Sequence, residues 1–375
     1  MINFVSNLPR DLRTGGFSAM NAAACVVLER RHEVAYVGPV DPPAVPWQKA
    51  VSKTLRLSGL GGDFFTYSER RLRTIAREVG RRAKPGARLD FFHGFTPWIA
   101  TRPARPYAAW SDCTFADYIE VFHERRVFRA DDLARIEQAE AGWLRGARRV
   151  LFTSEWAAQR AIQAYGLDPG RVGSVGIFGE LEAPAADAYA GEPSFAFVST
   201  DFVAKGGPVV LEAFRRVREA HSEAQLTIVG APPHRLGGEP GVRYAGFLRK
   251  EDPTALAQFR AVLAGARAVV HPTRSDIAPL LLVEAAMFGC PAIASRAFAI
   301  PELVADGESG RLLDAPGDPG AVAAAMTWVL DNPAAFAGMR AAAWRRARDF
   351  HSKARFDDRL LTLVDEALTD ERAAA

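Results

Sequence analysis

Short apolar runs alternate along the chain with longer segments in which apolar residues recur every three or four positions. Each short run is typical of a strand buried on both faces, and each periodic segment predicts an amphipathic helix. Strands are predicted at 2–6, 33–38, 88–92, 106–110, 149–153 and 171–175, and again at 195–199, 224–230, 242–246, 268–271 and 291–295. The alternation predicts an α/β protein with parallel sheets that are covered by helices.

Helices are predicted between most of these strands, including segments at 17–31, 208–220, 252–264 and 279–288. A further helix at 354–368 carries a broad apolar stripe that includes Phe356, Leu360 and Val364. A helix with such a stripe normally buries it against another element. We therefore expect this last helix to dock back on a folded domain.

The alternation is interrupted at residues 182–194, which are rich in Ala, Pro and Gly and show no periodicity. We interpret this stretch as the linker between two Rossmann-like, doubly wound domains. The expected boundaries are 1–180 for the first domain, 181–194 for the linker, 195–350 for the second domain and 351–375 for the docking helix. Two such domains in tandem would face a central cleft at the carboxyl ends of their strands, where this kind of fold binds ligands.

Composition agrees with a globular protein of two domains. The 375 residues are 49% hydrophobic and 24% charged, and the formal net charge of +3 gives no reason to expect a nucleic-acid partner. Cys25, Cys113 and Cys290 form no metal-ligand pattern, so we expect reduced core thiols in a cytoplasmic protein. The first sixteen residues lack a signal-peptide pattern, and no apolar run reaches the ~20 residues that a membrane span needs.

One region departs from the compact alternation. Residues 38–69 form an insertion that is first Pro-rich and then Gly-rich, and long insertions of this kind are commonly functional or mobile. The helix that follows, at 69–88, sets a basic face opposite an apolar one. Its basic positions are Arg70, Arg73, Arg77, Arg81 and Lys84. This face is either a solvated surface or a contact for anionic lipid headgroups or an acidic glycan, which would hold the protein at the inner face of a membrane.

Two acidic residues at the ends of an apolar segment are the strongest indication of a binding site. Asp276 and Glu284 bracket a run of Ile, Ala, Pro, Leu and Val, and a buried carboxylate is costly unless a partner or a ligand pairs with it. Both carboxylates can accept hydrogen bonds from sugar hydroxyls, and Glu284 is suited to the vicinal diol of a ribose. The alternative is that both acids cap backbone groups or pair with Arg274 and Arg296.

Glycine and proline predict where the neighbouring helices begin and end. Pro279 and Gly289 suit the first turn and the position after the last turn of the helix that carries Glu284. The free N–H groups at the start of such a helix favour an anion.

Glycines also mark two other strand–helix turns. Lys205 precedes Gly206 and Gly207 after a strand, and a point charge beside a close backbone approach suits a phosphate. The alternative is a solvated lysine. Gly15 and Gly16 lie in the first strand–helix turn, which in a doubly wound domain points toward the ligand crevice.

Taken in order, these segments resemble the retaining glycosyltransferases of family four, which have the two-domain GT-B fold. The resemblance covers nearly the whole chain and is strongest in its second half. The matching segments are the Gly-Gly turn, RHEV (31–34), SEWAAQRAI (154–162), KGGPVVLEAF (205–214), LTIVG (226–230), the block from Asp276 to Glu284 with FGCPAIAS (288–295), and IPELVADGESGRLL (300–313).

The resemblance implies a role for each matching position. Glu284 would hold the ribose of a nucleotide sugar, and Asp276 would face the transferred sugar, although the family has Glu at that position. Lys205 would bind the diphosphate, which Gly15 and Gly16 would also approach. The backbone around Phe247 would read the base. The amides that would face the sugar and the phosphate are those of Ile277, Ala278, Pro279 and Leu280, except that proline has no N–H.

The sequence departs from the family pattern at two further positions. Many relatives have Arg five residues before the lysine, where this chain has Thr200, and Arg274 could replace that cation. Many relatives also have His after the fourth strand, where this chain has Asp112. We expect Asp112 to take that place near the reacting sugar. His93 would position the acceptor or move its proton, or else be a structural core residue.

The resemblance therefore predicts a retaining glycosyltransferase of the hexosyltransferase type that needs no metal or other cofactor. The acceptor would be a hydroxyl of a glycan, a lipid or a small molecule, and the sequence leaves the base and the sugar open. Two alternatives stay open. One is a different GT-B enzyme, such as a nucleotide-sugar epimerase or a phosphorylase. The other is a binding module that has lost turnover.

Overall fold

The computed structural model describes residues 1–12, 16–44, 46–230 and 238–369, and the chain divides into two compact units. The first unit is Met1–Gly176 together with the chain from Phe356 onward, and the second unit is Ile177–Arg355. The segment expected to be a linker, 181–194, thus belongs to the second unit. Tyr189 explains part of this assignment, because its ring packs on Phe336 of that unit at 5.5 Å between centroids.

The first unit is built on a six-stranded parallel sheet. Its strands are β1 (Ile2–Val5), β2 (Val34–Val37), β3 (Leu89–His93), β4 (Tyr107–Ser111), β5 (Arg149–Phe152) and β6 (Val172–Ser174). Their order in the sheet is β2-β1-β3-β4-β5-β6. Its helices are α1 (Gly16–Leu28), α2 (Pro46–Leu57), α3 (Glu69–Arg82), α4 (Phe115–Phe122), α5 (Ala130–Arg145) and α6 (Glu155–Tyr165).

The second unit contains another six-stranded parallel sheet. Its strands are β7 (Ser194–Ser199), β8 (Gln225–Gly230), β9 (Val242–Gly246), β10 (Ala268–His271), β11 (Ala292–Ser295) and β12 (Gly310–Leu313), in the order β12-β11-β10-β7-β8-β9. Its helices are α7 (Gly207–Ala220), α8 (Pro253–Gly265), α9 (Leu280–Met287), α10 (Ile300–Leu303), α11 (Pro319–Asp331) and α12 (Pro333–Phe350). The sequence predicted every strand of both sheets except β12, which is short and follows a Gly-containing turn.

Strands with continuous apolar runs form the core of each unit. Phe92 and Phe152 of the first sheet and Phe197 and Ile293 of the second are buried within their own units. Both sheets reverse their strand order once, beside β1 in the first and beside β7 in the second. Ligands of open parallel sheets bind at such a reversal, at the carboxyl ends of the strands.

The last described helix, α13 (Lys353–Thr369), returns to the first unit. Phe356, Leu360 and Val364 are buried, and the ring of Phe356 lies 5.8 Å from that of Trp110 at the end of the fourth strand. Asp357 accepts a 2.6 Å hydrogen bond from Arg30. The apolar stripe read from the sequence is thus the buried face of this helix.

Two smaller expectations can be compared with the fold. Cys25, Cys113 and Cys290 are free and buried, as expected of core thiols. None of the described helices combines the length and the apolarity that crossing a bilayer requires.

The insertion at 38–69, which the sequence left without secondary structure, contains helix α2.

Candidate functional site

Lys205 and Asp276 meet at the strand-order reversal of the second sheet. Lys205 lies on the loop after β7, and Asp276 lies on the loop after β10, which is the neighbouring strand in the sheet. Lys205 Nζ donates a 2.8 Å hydrogen bond to Asp276 Oδ2 and a second one to the carbonyl of Ser275. The fold therefore brings together two predicted site residues that are seventy-one positions apart in sequence.

The two glycines after Lys205 stand where a side chain would not fit. Gly206 has φ of 86°, and a Cβ at this position would lie 2.9 Å from the carbonyl oxygen of Pro272. A Cβ at Gly207 would lie 2.4 Å from the ring of Phe202. The glycines that the sequence indicated for a phosphate thus also have a packing role. Gly206 lies against the Asp276 loop, and Gly207 leaves room for Phe202 within the Lys205 loop.

Asp276 has a second partner that the sequence analysis missed. His271 is the last residue of β10, is buried, and places Nε2 3.5 Å from Asp276 Oδ2. Burial alone would raise the pKa of Asp276, but the contact with His271 and the charge of Lys205 outweigh burial and lower it. Asp276 is therefore ionised at neutral pH. A histidine at the end of a central strand was the available signal, but spacing alone does not distinguish it from a core residue.

Glu284 lies on α9 and is 2% exposed. Its Oε1 accepts a hydrogen bond from Nζ of Lys250, and that Nζ also lies 5.3 Å from the ring centroid of Phe259. Burial raises the pKa of Glu284 and the nearby Glu180 adds to the rise, while the charge of Lys250 opposes it. Lys250 lies three residues after Phe247 and was not among the residues that the sequence predicted for the site.

The alternative pairing of both acids with arginines is not what the described residues form. Arg296 pairs with Asp306 and Asp314, and the guanidinium of Arg274 lies beside Gly317. Thr200, where many family members have Arg, is exposed just beyond β7. The cations that contact the two acids are Lys205 and Lys250 instead.

The start of α9 has the form that the sequence predicted, with one difference. Pro279 is the N-cap residue rather than the first helical residue, and Gly289 has φ of 66° in the position after the helix. Ile277 is buried, whereas Ala278 and Leu280 are partly exposed. The N–H groups at the beginning of this helix have no partner within the helix, which favours an anion at that end.

Phe247 follows β9 in the second unit and is 56% exposed. The guanidinium of Arg249 lies 5.7 Å from its ring centroid. An exposed ring flanked by a cation is suited to stacking on a planar ligand.

The first unit has its own concave site at the ends of β3 and β4. A cavity of about 290 Å³ lies there, and its lining mixes aromatic and polar side chains. The lining includes Phe17, Tyr67, Thr96, Asp112, Tyr118 and Phe122. Asp112 accepts a 3.3 Å hydrogen bond from Ser111, and its charge contributes, after burial, to the raised pKa of Cys113. The predicted residue Asp112 thus lies in a cavity of suitable size for a sugar ring.

His93 lies below this cavity rather than in its wall. It is the last residue of β3, it is fully buried, and its ring lies 4.1 Å from that of Phe17 and 5.2 Å from that of Trp110. Burial lowers the pKa of His93 to about 3, so the ring is neutral at physiological pH. These facts favour the structural role among the two that the sequence left open.

A buried carboxylate that the sequence analysis missed supports the same cavity. Glu140 of α5 is fully buried and accepts hydrogen bonds from Thr96 Oγ1 at 2.6 Å, from the N–H of Phe115 at 2.6 Å and from the hydroxyl of Tyr165 at 2.9 Å. Burial raises the pKa of Glu140 to about 7 although all three donors act to lower it. Glu140 thereby joins α4, α6 and the segment of Thr96, and Thr96 itself lines the cavity.

The glycine turn of the first unit is described only in part. Gly15 lies outside the described residues, and Gly16 is the first residue of α1. The expected approach of these glycines to a diphosphate stays a prediction.

Solved structures define the class of fold. Sucrose-phosphate synthase from Thermosynechococcus elongatus aligns with a TM-score of 0.69 at 18% identity, over 97% of this chain and 98% of that chain. Anabaena HepE in complex with UDP-glucose aligns with a TM-score of 0.65 at 16% identity, over 98% and 100%. Together with the two six-stranded parallel sheets, these alignments identify a two-domain, Rossmann-like GT-B fold.

Sequence comparisons match part of the chain to known glycosyltransferases. Residues 192–332 match the family model described as glycosyl transferases group 1. D-inositol 3-phosphate glycosyltransferase 2 from Catenulispora acidiphila is 30% identical over 212 residues, which are 50% of this chain and 49% of that protein. The chain thus spans about half the length of this curated relative. Its second half is similar to group 1 glycosyl transferases, in agreement with the resemblance that its motifs indicate.

Proposed function

We propose that this protein transfers a glycosyl group from a nucleoside-diphosphate sugar to a hydroxyl acceptor with retention of the anomeric configuration. The observation that carries the proposal is the pairing of Lys205 with Asp276 at the strand-order reversal of the second sheet, beside the helix that holds Glu284. A cation, a helix N-terminus and a buried carboxylate at one sheet edge suit the diphosphate, the sugar and the ribose of such a donor.

Different groups of the second unit bind different parts of the donor. When the donor binds, Lys205 leaves Asp276 and contacts the diphosphate instead. The first amides of α9 donate hydrogen bonds to the same diphosphate. Asp276, once released, accepts hydrogen bonds from the hydroxyls of the sugar. Glu284 accepts hydrogen bonds from the ribose, and the exposed ring of Phe247 stacks on the base.

In the reaction, the bond between the anomeric carbon and the diphosphate oxygen breaks, and the oxygen takes the electron pair. The acceptor oxygen forms the new bond on the same face of the sugar and loses its proton to the departing diphosphate. Lys205 and the α9 amides stabilise the charge that builds on the leaving group. Loss of one such contact typically lowers the rate by about 10²–10³.

The acceptor is proposed to bind at the cavity of the first unit. Its aromatic side chains suit the apolar face of a sugar or polyol ring, and Asp112 suits a hydroxyl. A glycan, a lipid-linked sugar or a small polyol each fits this description. The relative from Catenulispora acidiphila is named for a phosphorylated inositol, so inositol 3-phosphate belongs in any acceptor panel.

We propose that no metal ion or other cofactor takes part, because Lys205 and the α9 amides supply the positive charge that a metal would otherwise supply. Activity should then be equal in excess chelator and in millimolar Mg²⁺. A rate that depends on added metal would contradict this part of the proposal.

Donor binding can be tested by thermal melting with uridine, guanosine and adenosine diphosphates. A ligand present at 100 times its dissociation constant should raise the free energy of unfolding by about 2.7 kcal/mol. No shift with any of the three would contradict the donor site.

Turnover separates the transferase from its alternatives. With the matching nucleotide sugar and an acceptor panel, the protein should release nucleoside diphosphate, and Lys205→Ala and Glu284→Ala should abolish release. Glu251→Ala, in an exposed residue of the same unit, is the control. Conversion of the nucleotide sugar without an acceptor would favour an epimerase, and binding without any turnover would favour a binding module.

The basic helix of the first unit supports a peripheral contact with a membrane, which we place at the inner face. Arg70, Arg73, Arg77 and Arg81 of α3 are exposed, whereas Leu72, Ile75 and Val79 are buried. Arg71, which the sequence analysis did not single out, is buried and bonds the carbonyl oxygens of Pro42 and Thr66. The exposed arginines suit anionic lipid headgroups.

A further inference from the structure

Helix α2 of the first unit is amphipathic, but the residue that it buries is polar and most of its apolar residues are exposed. Its one buried residue is the polar Ser52, whose hydroxyl donates a 2.6 Å hydrogen bond to the carbonyl of Asp63. Arg56 lies on the same side, with its guanidinium 5.3 Å from the ring centroid of Phe128. The helix is thus attached to its unit through polar groups, which leaves its apolar residues unused by the core.

Most of the apolar residues of α2 are exposed, and only Leu55 is partly buried. Trp47, Val51 and Leu57 are 60%, 49% and 80% exposed, and Leu60, just after the helix, is 73% exposed. At 3.6 residues per turn, the three helical residues project within about 120° of one another, on the side opposite Ser52. Four large exposed apolar side chains on one short segment mark an interaction surface rather than scattered surface residues.

The charge of this region indicates what kind of surface would cover it. Residues 46–84 contain ten Lys and Arg against three Asp and Glu, although the whole chain has an excess of only three positive charges. The rest of the chain is therefore net negative. Lys53 is exposed beside Leu57 on one flank of the apolar face, and Lys49 is exposed one turn before Lys53. Residues 46–60 contain no acid.

Helices α2 and α3 are connected by a shared groove. Trp47, Val51 and Leu55 of α2 line one side of a shallow cavity of about 90 Å³, and Phe65 and Ser68 line the other. Ser68 is the N-cap residue of α3. The apolar face of α2 therefore begins beside the start of the basic helix.

We infer that α2 is an interfacial helix that lies on an anionic lipid bilayer, with Trp47, Val51, Leu57 and Leu60 in the headgroup–acyl boundary and Lys49 and Lys53 against the headgroups. An apolar face flanked by lysines, with a tryptophan at one end, has the chemistry that such helices use. A bilayer supplies both the apolar layer and the negative charge. The inference extends the membrane contact proposed for α3 by naming a separate element that enters the lipid, and it does not depend on glycosyl transfer.

The test is co-sedimentation of the full-length protein with vesicles of phosphatidylcholine alone or of phosphatidylcholine with phosphatidylglycerol. The wild-type protein should sediment with the anionic vesicles and much less with the neutral ones. The triple change Trp47→Ser, Leu57→Ser and Leu60→Ser should weaken binding at least about tenfold, because apolar burial and electrostatic attraction add. The pair Lys49→Glu and Lys53→Glu should weaken binding to anionic vesicles and reduce its dependence on salt.

Matched controls come from the second unit. Val203 and Phe350 are exposed apolar residues there, at 73% and 53%, so Val203→Ser with Phe350→Ser should leave vesicle binding unchanged. Arg345→Glu with Arg348→Glu is the corresponding charge reversal. Thermal melting of every variant establishes that it is folded.

A spectroscopic measurement tests insertion directly. Vesicles that contain brominated lipid should quench the wild-type emission, and Trp47→Phe should remove most of that quenching while the protein still sediments. Unchanged quenching in Trp47→Phe would place another tryptophan in the bilayer and overturn the inference.

Other outcomes separate the two membrane proposals. If Arg77→Glu with Arg81→Glu abolishes binding while the α2 triple variant binds normally, the inference for α2 fails and the contact by α3 stands. If the wild-type protein ignores all vesicles but its melting responds to a nucleoside diphosphate, both membrane contacts fail and the donor site stands. If the triple change instead converts a dimer to a monomer in gel filtration without altering vesicle binding, the face of α2 contacts a second copy and the inference is overturned.

Discussion

At the residue scale, the two acids that bracket the apolar run 276–284 are each paired with a lysine from a different loop. Asp276 contacts Lys205, and Glu284 contacts Lys250. A buried carboxylate without a cation would be protonated or would destabilise the fold. Lys205 helps to lower the pKa of Asp276, and Lys250 opposes the rise that burial gives to the pKa of Glu284. The sequence identified three of these four residues. It could not show which lysine would reach which acid.

Removing Lys250 should make function depend on pH through Glu284. Burial already raises the pKa of Glu284, and Lys250→Ala removes the cation that opposes that rise. The ionised fraction at slightly acid pH then falls, so the acidic limb of the kcat/KM profile should move to higher pH. Glu251→Ala, one residue along, should leave the profile unchanged. An identical acidic limb in Lys250→Ala would show that this pair does not control the site.

Glu140 should give the stability of the first unit a pH dependence. Its pKa in the folded protein is raised to about 7, above its ordinary value, so the folded state binds this proton more tightly than the unfolded state. Its contribution is therefore most favourable at acid pH and is lost as the pH rises to about 7, with a total near 3 kcal/mol at 1.36 kcal/mol per pKa unit.

Glu140→Gln should flatten that dependence. The measurement is denaturant unfolding at several values between about pH 5 and 8, interpreted through proton linkage. Glu137→Gln, on the same helix but in a more exposed pair with Arg125, is the control and should keep the wild-type slope. Equal slopes in wild type and Glu140→Gln would contradict the role of the buried carboxylate.

At the scale of elements, local pattern predicted eleven of the twelve strands and the helices that carry the site. This succeeded because a strand buried on both faces must be apolar throughout, and a helix that covers it must be apolar at helical spacing. β12 and α2 were missed for different reasons. Gly310 and Arg311 interrupt the apolar run of β12, and α2 lies in an insertion whose Pro and Gly residues favour a loop.

The turn before α7 offers a test at this scale. Gly206→Ala places a Cβ in a left-handed conformation and within 2.9 Å of the carbonyl oxygen of Pro272, so the Lys205 loop must move away from the Asp276 loop. The conformation alone costs about 1–2 kcal/mol. We expect a lower melting temperature and a weaker affinity for nucleoside diphosphate, measured by calorimetry.

A matched glycine provides the control. Gly265 ends α8, and a Cβ there would meet no atom within 4 Å. Gly265→Ala should therefore leave both the melting temperature and the nucleotide affinity close to wild type. Wild-type affinity in Gly206→Ala would mean that the close approach of the two loops is unimportant for the donor.

At the scale of the whole molecule, the chain crosses from its second unit back to its first. Helix α13 begins at Lys353 and buries Phe356, Leu360 and Val364 in the first unit. The first unit is therefore incomplete until the last helix has been made. Its stability depends on residues that are far from it in sequence.

Phe356→Ala should destabilise the first unit specifically. Large-to-small changes at buried phenylalanines typically cost about 3–5 kcal/mol. Calorimetry should show the melting transition of this unit at a lower temperature, while the transition that a bound nucleoside diphosphate raises keeps its position. Phe350→Ala, in an exposed residue six positions earlier, should have little effect. Equal lowering of both transitions would show that α13 stabilises the two units together.

The sequence by itself determined the two α/β units, all but one of their described strands, the resemblance of the second unit to glycosyltransferases and the positions of Lys205, Asp276 and Glu284. These follow from hydrophobic period and from short motifs, which are properties of neighbouring residues. Only the tertiary structure decided that Lys250 and His271 are the partners of the two acids, that Glu140 joins three elements below a cavity, and that α2 exposes its apolar face. Those contacts link residues on separate elements, and no local pattern encodes which separate elements will meet.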